Sequence, residues 1–128
     1  MIPKTAATLT QADIVRFRDN LTRRPLSIAG QTQQRLVRAR LIAGRAAALL
    51  KEKFSVPRVV VFGSITMPEL FHTHSDIDLA AWGMNGSDYY RAVGVLQALD
   101  PEFSVDLVLF EEASPNLQRT IQSEGIDL

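Results

Sequence analysis

The chain of 128 residues is 46% hydrophobic, which is enough to form one domain with a core of its own. It contains no cysteine, so disulfides and thiolate metal sites are excluded. No apolar stretch reaches the length of a signal peptide or a membrane span, and we therefore expect a soluble, cytoplasmic protein.

The net charge is zero, but the charges are divided between the two halves of the chain. Residues 1–60 hold twelve basic and three acidic side chains, a net charge of +9, and residues 61–128 hold two basic and eleven acidic side chains, a net charge of −9. This division can mark a surface for a charged partner, or it can reflect helices solvated by arginine and strands that carry the acids.

Two helices are predicted in the first half of the chain. The first starts at Thr10 and ends at Arg23-Arg24-Pro25, so that residues 1–30 form an N-terminal helical extension. The second covers Gln31–Lys53, and its alanine-rich apolar stripe predicts close packing against a sheet. The stripe consists of Leu36, Ala39, Ala43, Ala47 and Leu50.

Three strands are predicted after Pro57, and the first is a continuous β-branched run typical of a central strand. They are Arg58–Phe62, Asp76–Trp82 and Phe103–Phe110. A helix opened by Gly86-Ser87 separates the second strand from the third, and Asp100-Pro101 ends it. Tyr89 in that helix and Trp82 before it are expected to pack in the core.

The last helix is predicted to open at Ser114-Pro115, an N-cap and N1 pair, and to end at Gly125. The order of elements is therefore α-α-β-β-α-β-α. It predicts an α/β (α+β) domain over residues 31–128, with a small mixed three-stranded sheet and helices packed on it.

Three acids stand out in the second half. Asp76 and Asp78 are two residues apart in a strand, so their carboxylates point to the same side and repel unless a cation lies between them. Asp106 lies within an apolar strand, where a charge must be paired, bound to metal or exposed at an edge. Hard carboxylate oxygens suit Mg²⁺. Gly63-Ser64, at the end of the first strand, also fits a simple turn, and the acid pair also fits an Asx-turn.

The spacing of these residues resembles the DNA polymerase beta-type nucleotidyltransferase superfamily, and within it the minimal nucleotidyltransferase (MNT) domains. The resemblance rests on Val61-Phe62-Gly63-Ser64, then eleven residues, then Asp76-Ile77-Asp78-Leu79, then Val105-Asp106-Leu107. It extends from about Val59 to Glu124-Gly125-Ile126.

The resemblance implies a role for each motif residue. Gly63 and Ser64 would bind the triphosphate of ATP, and Asp76, Asp78 and Asp106 would hold two Mg²⁺ ions. Asp106 would also lie near the acceptor hydroxyl and take its proton.

The resemblance also implies a partner, because the chain is short and a macromolecular acceptor would have to dock. MNT domains are paired with HEPN-domain toxins, and the implied activity is transfer of AMP to a tyrosine of the toxin by a type VII-like antitoxin. The helix that carries Arg35, Arg38 and Arg45, or the N-terminal helix, would form the docking surface. No membrane partner is expected, and direct nucleic-acid binding is not favoured.

The loop after Ser64 departs from the family pattern, because Ile65–Ser75 contains no Lys or Arg to hold phosphates. Arg45, Arg58 or a side chain of the partner could supply that charge. His72 and His74 in this loop could touch phosphate or acceptor, but exposed histidines are the simpler interpretation. Two alternatives therefore stay open: an antitoxin that neutralises by binding alone, and a small-molecule nucleotidyltransferase of the aminoglycoside-modifying kind.

Overall fold

A computed structural model describes residues 28–72 and 74–128. The helix predicted from Thr10 lies outside the described residues. In the part of the chain that is described, no helix has the length and apolar character needed to cross a membrane.

Helix α1 spans Ile28–Lys53, starting three residues before the predicted Gln31. Its sequence is rich in Ala, Leu, Arg and Gln, the residues that favour helix most. The whole predicted stripe, from Leu36 to Leu50, is buried, and Ile42 and Ala46 are buried with it. The helix ends in a turn in which the Phe54 and Val56 N–H groups both donate to the Leu50 carbonyl.

Four strands form one sheet in the order β3-β2-β1-β4. Strand β1 (Arg58–Phe62) pairs antiparallel with β2 (Ile77–Trp82) and with β4 (Ile126–Asp127), whereas β2 pairs parallel with β3 (Val105–Leu109). Helix α2 (Tyr89–Gln97) connects the parallel pair, as such a connection requires. The mixed α/β class is confirmed, and β1 is the buried central strand that its sequence predicts.

The sheet has one strand more than the three that the sequence predicts. Strand β4 is only two residues long, too short for an alternating pattern to reveal it. Tertiary contacts hold it: the Leu128 N–H donates to the Val59 carbonyl at 3.0 Å, and Arg58 Nε lies 2.8 Å from Asp127 Oδ1.

Short 3₁₀ turns move several element boundaries. Strand β2 begins at Ile77 rather than Asp76, and β3 ends at Leu109 because Phe110–Glu112 forms a 3₁₀ turn. Asn85, rather than Ser87, caps the 3₁₀ turn that precedes α2, since its side chain accepts from the Ser87 N–H.

Helix α3 (Pro115–Glu124) has the predicted N-cap, because the Ser114 hydroxyl accepts a hydrogen bond from the Leu117 N–H at 3.2 Å. Gly125 does cap its C-terminus, but with φ −69° and not in a left-handed conformation. A Cβ at that position would collide with Val60 and with the Ile121 carbonyl, so the space available explains this glycine.

The two faces of the sheet are covered by different helices. Helices α1 and α2 cover one face in the main core, and α3 covers the other through Ile121, which packs with Val60, Phe62 and Ala80. We call this second side the α3 face. Side chains alternate along a strand, so Asp78 and Asp106 also belong to the α3 face, at the end of the sheet where β2 and β3 begin.

Candidate functional site

Asp78 and Asp106 lie side by side on neighbouring strands. In the parallel pairing of β2 with β3 these two residues are direct partners, and Asp78 is also the partner of Phe62 in the pairing with β1. Neighbouring strands are about 4.8 Å apart, so the two carboxylates occupy adjacent positions on the α3 face. The pattern of alternation predicts the shared face, and the register places the two acids next to each other.

Asp78 is a half-buried carboxyl in a negative environment. Burial, together with the charges of Asp106 and Asp76, raises the pKa of Asp78 to about 6. The ion pairs among the described residues are formed by Arg38, Arg58 and Arg91, and none of them reaches these three acids. The site therefore holds concentrated negative charge that no described cation neutralises.

Asp76 and Asp106 are both exposed. Asp106 lies on β3, an edge strand, so of the three possibilities for this acid the structure shows exposure at an edge. Asp76 precedes β2 and lines a cleft of about 620 Å³ together with Arg35, His74 and Ser104. Both carboxylates are accessible to a ligand.

Gly63 lies directly against Asp78. It has φ +80°, and a Cβ built on it would be 2.5 Å from Asp78 Oδ2. It begins a 3₁₀ turn, Gly63–Thr66, in which the Thr66 hydroxyl donates to the Gly63 carbonyl at 2.7 Å. The structure thus brings the predicted Gly63-Ser64 turn and the acids together at one end of the sheet.

The loop between β1 and β2 is held by packing and by short-range hydrogen bonds. Ile65 and Phe71 are buried in the main core, and the buried Ser75 hydroxyl accepts from the His72 N–H at 3.0 Å. His72 and His74 are exposed, and the His74 N–H donates to His72 Nδ1 at 3.1 Å. The exposed interpretation of both histidines agrees with the structure, although His74 also lines the cleft beside Asp76.

Arg58 cannot supply the charge that the loop lacks. It begins β1 and pairs with Trp82, whereas the acids lie beside Phe62 at the other end of the strand, about 13 Å away at 3.3 Å per residue. Its guanidinium lies 4.3 Å from the Trp82 ring centroid and pairs with Asp127. The packing at the far end of the sheet therefore excludes this candidate.

Arg35 lies closer to the acids than the sequence indicated. It lines the cleft with Asp76, its guanidinium carbon is 4.1 Å from the Phe103 ring centroid, and one of its terminal nitrogens donates to the Glu102 carbonyl at 2.9 Å. Its Nε is buried with no hydrogen-bond partner among the described residues. No motif marks this residue, because its position depends on how α1 packs against the segment before β3.

The carboxylates of the site are suitable ligands for Mg²⁺, but they do not form a complete set of protein ligands. Among the residues that the structure describes, no group of three or more His, Cys, Asp or Glu side chains could hold a metal ion. Mg²⁺, however, commonly binds through one or two carboxylates and completes its shell with phosphate oxygens and water. The adjacent Asp78 and Asp106 carboxylates provide such a pair.

The fold and this arrangement of acids define a known class of protein. The family described as polymerase beta, nucleotidyltransferase matches residues 45–128, and the chain belongs to this family. It is therefore a nucleotidyltransferase. A search among curated proteins gave no match.

Solved structures of similar fold agree with this class. A minimal nucleotidyltransferase is 28% identical with a TM-score of 0.59, over 73% of this chain and 95% of that chain. A toxin–antitoxin complex with AMP-PNP is 22% identical with a TM-score of 0.57, over 66% and 70% of the two chains. A complex of tri-AMPylated Shewanella oneidensis HEPN toxin with MNT antitoxin is 20% identical with a TM-score of 0.53, over 70% of each chain.

Proposed function

We propose that this chain is a cytoplasmic antitoxin that transfers AMP from ATP to a tyrosine hydroxyl of a HEPN-domain toxin. The observation that carries the proposal is the pair of adjacent carboxylates, Asp78 and Asp106, with Gly63 against one of them. Two similar structures support the partner and the transferred group, since one holds AMP-PNP and another an AMPylated HEPN toxin. We assign the transferase domain to residues 31–128 and regard residues 1–30 as an extension of it.

The proposed reaction is an in-line displacement at the α-phosphorus of ATP. The tyrosine oxygen forms a bond to that phosphorus, the bond from it to the oxygen bridging the α- and β-phosphates breaks, and pyrophosphate leaves. Asp106 accepts the hydroxyl proton, because it is exposed at the sheet edge where an acceptor can approach.

The remaining site residues hold the nucleotide. Ser64 is half-buried at the turn, and its hydroxyl has no hydrogen-bond partner among the described residues, so it is free to donate to a phosphate. Asp76, Asp78 and Asp106 would hold two Mg²⁺ ions, which supply neutralisation of the negative charge on the phosphates. This assignment accounts for the adjacent Asp78 and Asp106 carboxylates, which no ion pair among the described residues neutralises.

The test measures the transfer of label from ATP to the toxin. The full chain is incubated with α-labelled ATP, Mg²⁺ and the HEPN-domain toxin, and compared with the double variant Asp76→Ala, Asp78→Ala and with Asp106→Ala. We expect labelled toxin with the wild type and at least about a hundredfold less with either variant. Asp106→Ala should still bind ATP, as calorimetry can show, because Asp76 and Asp78 remain. Glu69→Ala, an exposed acid outside the site, is the matched control and should transfer normally.

A second function, neutralisation by binding alone, has two features in its favour. The loop Ile65–Ser75 carries no Lys or Arg, and no three-ligand metal group is formed by the described residues. Neutralisation of the toxin that persists in the double variant, with no label in any sample, would establish this function and refute transfer.

A further inference from the structure

Helix α1 has a second apolar face that points away from the sheet. Val37 and Leu41 are 49% and 63% exposed, and they continue along the helix into the exposed Gly44 and Ala48. We call these four residues the outer seam. At 100° per residue they lie opposite the buried stripe that packs on the sheet, so the domain's own core does not need them.

The spacing of the outer seam is that of a helix–helix contact. Its residues follow one another at intervals of four, three and four, which is the a/d pattern of a two-helix seam. A Cβ added at Gly44 would meet no atom within 4 Å, and Ala48 is small, so a second helix can approach the backbone closely there. The shape therefore suits an α-helix.

Basic side chains flank the outer seam on both sides. Arg40 and Lys51 lie along one side and Arg38 and Arg45 along the other, whereas Glu52 is the helix's one acid. Arg38 is paired with Asp100 and Glu102, but Arg40 and Arg45 are exposed and form no ion pair with the described residues. A complementary helix would carry carboxylates beside its apolar seam.

We propose that the outer seam docks an amphipathic helix of the toxin, with acidic residues flanking its apolar positions. A second copy of α1 would place arginines against arginines. Residues 1–27 of this chain carry five basic and two acidic side chains, a net charge of +3, so their charge also opposes this surface. The positive charge beside the outer seam therefore favours an acidic helix of another protein over a second copy of α1 or residues 1–27. The identity of the toxin rests on the proposed function.

The outer seam and the acids lie on different sides of the domain. Arg35 lines the cleft that contains Asp76 and His74, but Val37 is two residues further on, about 200° around the helix at 100° per residue. The outer seam points away from the sheet, whereas Asp78 and Asp106 belong to the α3 face on its other side. Docking on the seam would therefore hold the toxin through a contact separate from the one that presents its tyrosine to the acids.

Binding of the full chain to purified HEPN-domain toxin tests the seam. We expect the double variant Val37→Asp, Leu41→Asp to raise the dissociation constant at least about a hundredfold in biolayer interferometry, because it places charge at the centre of the contact. The double variant Arg40→Glu, Arg45→Glu should raise the dissociation constant about tenfold at low salt and remove most of the salt dependence of binding. Gln122→Asp, an exposed change on α3, is the control and should bind as the wild type does.

Each outcome separates docking from chemistry. Since Val37 and Leu41 are exposed, the seam variants should have the melting temperature of the wild type. If a seam variant does not fold, the milder Leu41→Ala replaces it and should still weaken binding several-fold. Seam variants that bind as tightly as the wild type overturn the docking proposal and leave transfer intact. Binding that depends on the seam but gives no labelled toxin refutes transfer and supports docking. A wild type that does not bind the toxin overturns both.

Discussion

At the scale of single residues, Gly63 and Asp78 constrain each other. The glycine has a left-handed φ of +80° and leaves room for the Asp78 carboxylate, which in turn is half-buried beside it. The resemblance to the nucleotidyltransferase superfamily implies that Gly63 binds the triphosphate. The structure adds a reason that needs no ligand, because any side chain here would collide with the carboxylate.

Gly63→Ala should destabilise the fold and abolish transfer. The added Cβ would lie 2.5 Å from Asp78 Oδ2, on a backbone conformation that costs a non-glycine residue about 1–2 kcal/mol. We expect a loss of about 2 kcal/mol or more in urea unfolding. Gly94→Ala is the matched control, because its Cβ would meet nothing within 4 Å and it lies within α2; it should stabilise the protein by about 0.5–1 kcal/mol. Equal stability of the two variants would contradict this account of Gly63.

Asp78→Asn should stabilise the metal-free protein at neutral pH. The folded-state pKa of about 6 lies above the ordinary value of 3.8, so the folded protein binds this proton more tightly than the unfolded chain does. The stability of the wild type therefore rises as the pH falls from 6 towards 4. Above pH 6 the ionised Asp78 carboxylate lowers the free energy of unfolding, and the asparagine amide does not. We expect a gain of about 1 kcal/mol at pH 7.5, after allowing for solvent screening of a half-exposed group.

Thermal melts in EDTA at pH 7.5 and pH 4 measure this effect. The difference between Asp78→Asn and the wild type should become much smaller at the lower pH, where the Asp78 carboxyl of the folded protein is protonated and carries no charge. Glu69→Gln, at an exposed position, should show no comparable dependence. A variant that is less stable than the wild type at pH 7.5 would show that the carboxylate is neutralised in the folded state.

At the scale of elements, α2 protects the open edge of β3. The Gln97 side chain donates to the Val105 carbonyl at 2.7 Å and accepts from the Val105 N–H at 3.3 Å, while the Tyr89 hydroxyl donates to the Leu107 carbonyl at 2.8 Å. The prediction that Tyr89 packs in the core is confirmed, and its hydroxyl has this additional role. An edge strand whose backbone groups are already bonded offers little to a second sheet.

Gln97→Ala should open that edge. Two backbone groups of Val105 would lose their partner, which should lower the free energy of unfolding by about 1 kcal/mol and increase self-association. Chemical unfolding measures the first effect and light scattering the second. Gln122→Ala removes an exposed glutamine of α3 and should change neither. A variant that stays monomeric at high concentration would show that this edge needs no protection.

At the scale of the whole molecule, the sheet separates two groups of charge. One end holds the three acids and Gly63, and the other holds Arg58 with Asp127 and Trp82. Strand β4 pairs with Val60 and Val61 of β1, and the residues at its C-terminal end are tied to the second end: Asp127 pairs with Arg58, and the Lys51 ammonium group donates to the Leu128 carbonyl. The carboxylates at the acidic end are therefore accessible to a ligand, whereas the side chains at the other end are held by contacts within the domain.

Arg58→Gln should therefore leave nucleotide binding unchanged. It removes an ion pair and a cation–π contact that are both exposed to solvent, so the loss of stability should be small. Calorimetric titration with a non-hydrolysable ATP analogue and Mg²⁺ should give the wild-type dissociation constant. A marked rise would mean that Arg58 reaches the triphosphate, which the register of β1 does not allow.

Much of the fold could be predicted because its signals are local. The buried stripe of α1, the run of β1 and the Ser114 cap of α3 each depend on residues a few positions apart. The fourth strand could not be predicted, since a two-residue strand has no period and its partners lie more than sixty residues earlier in the chain. The 3₁₀ turns Gly86–Asp88 and Phe110–Glu112 could not be predicted either, since elements of three residues are too short to show a period.

The sequence by itself determined which residues could form the site. Period-two spacing places Asp76 with Asp78, Gly63-Ser64 closes a strand, and the combination indicates the family. Only the tertiary structure decided how these parts meet: β3 beside β2 in a parallel register that pairs Asp78 with Asp106, Gly63 against Asp78, Arg35 in the cleft, and Arg58 at the far end. The physical reason is that side-chain direction is set within a strand, whereas register is set by the burial of whole faces and by contacts between distant segments.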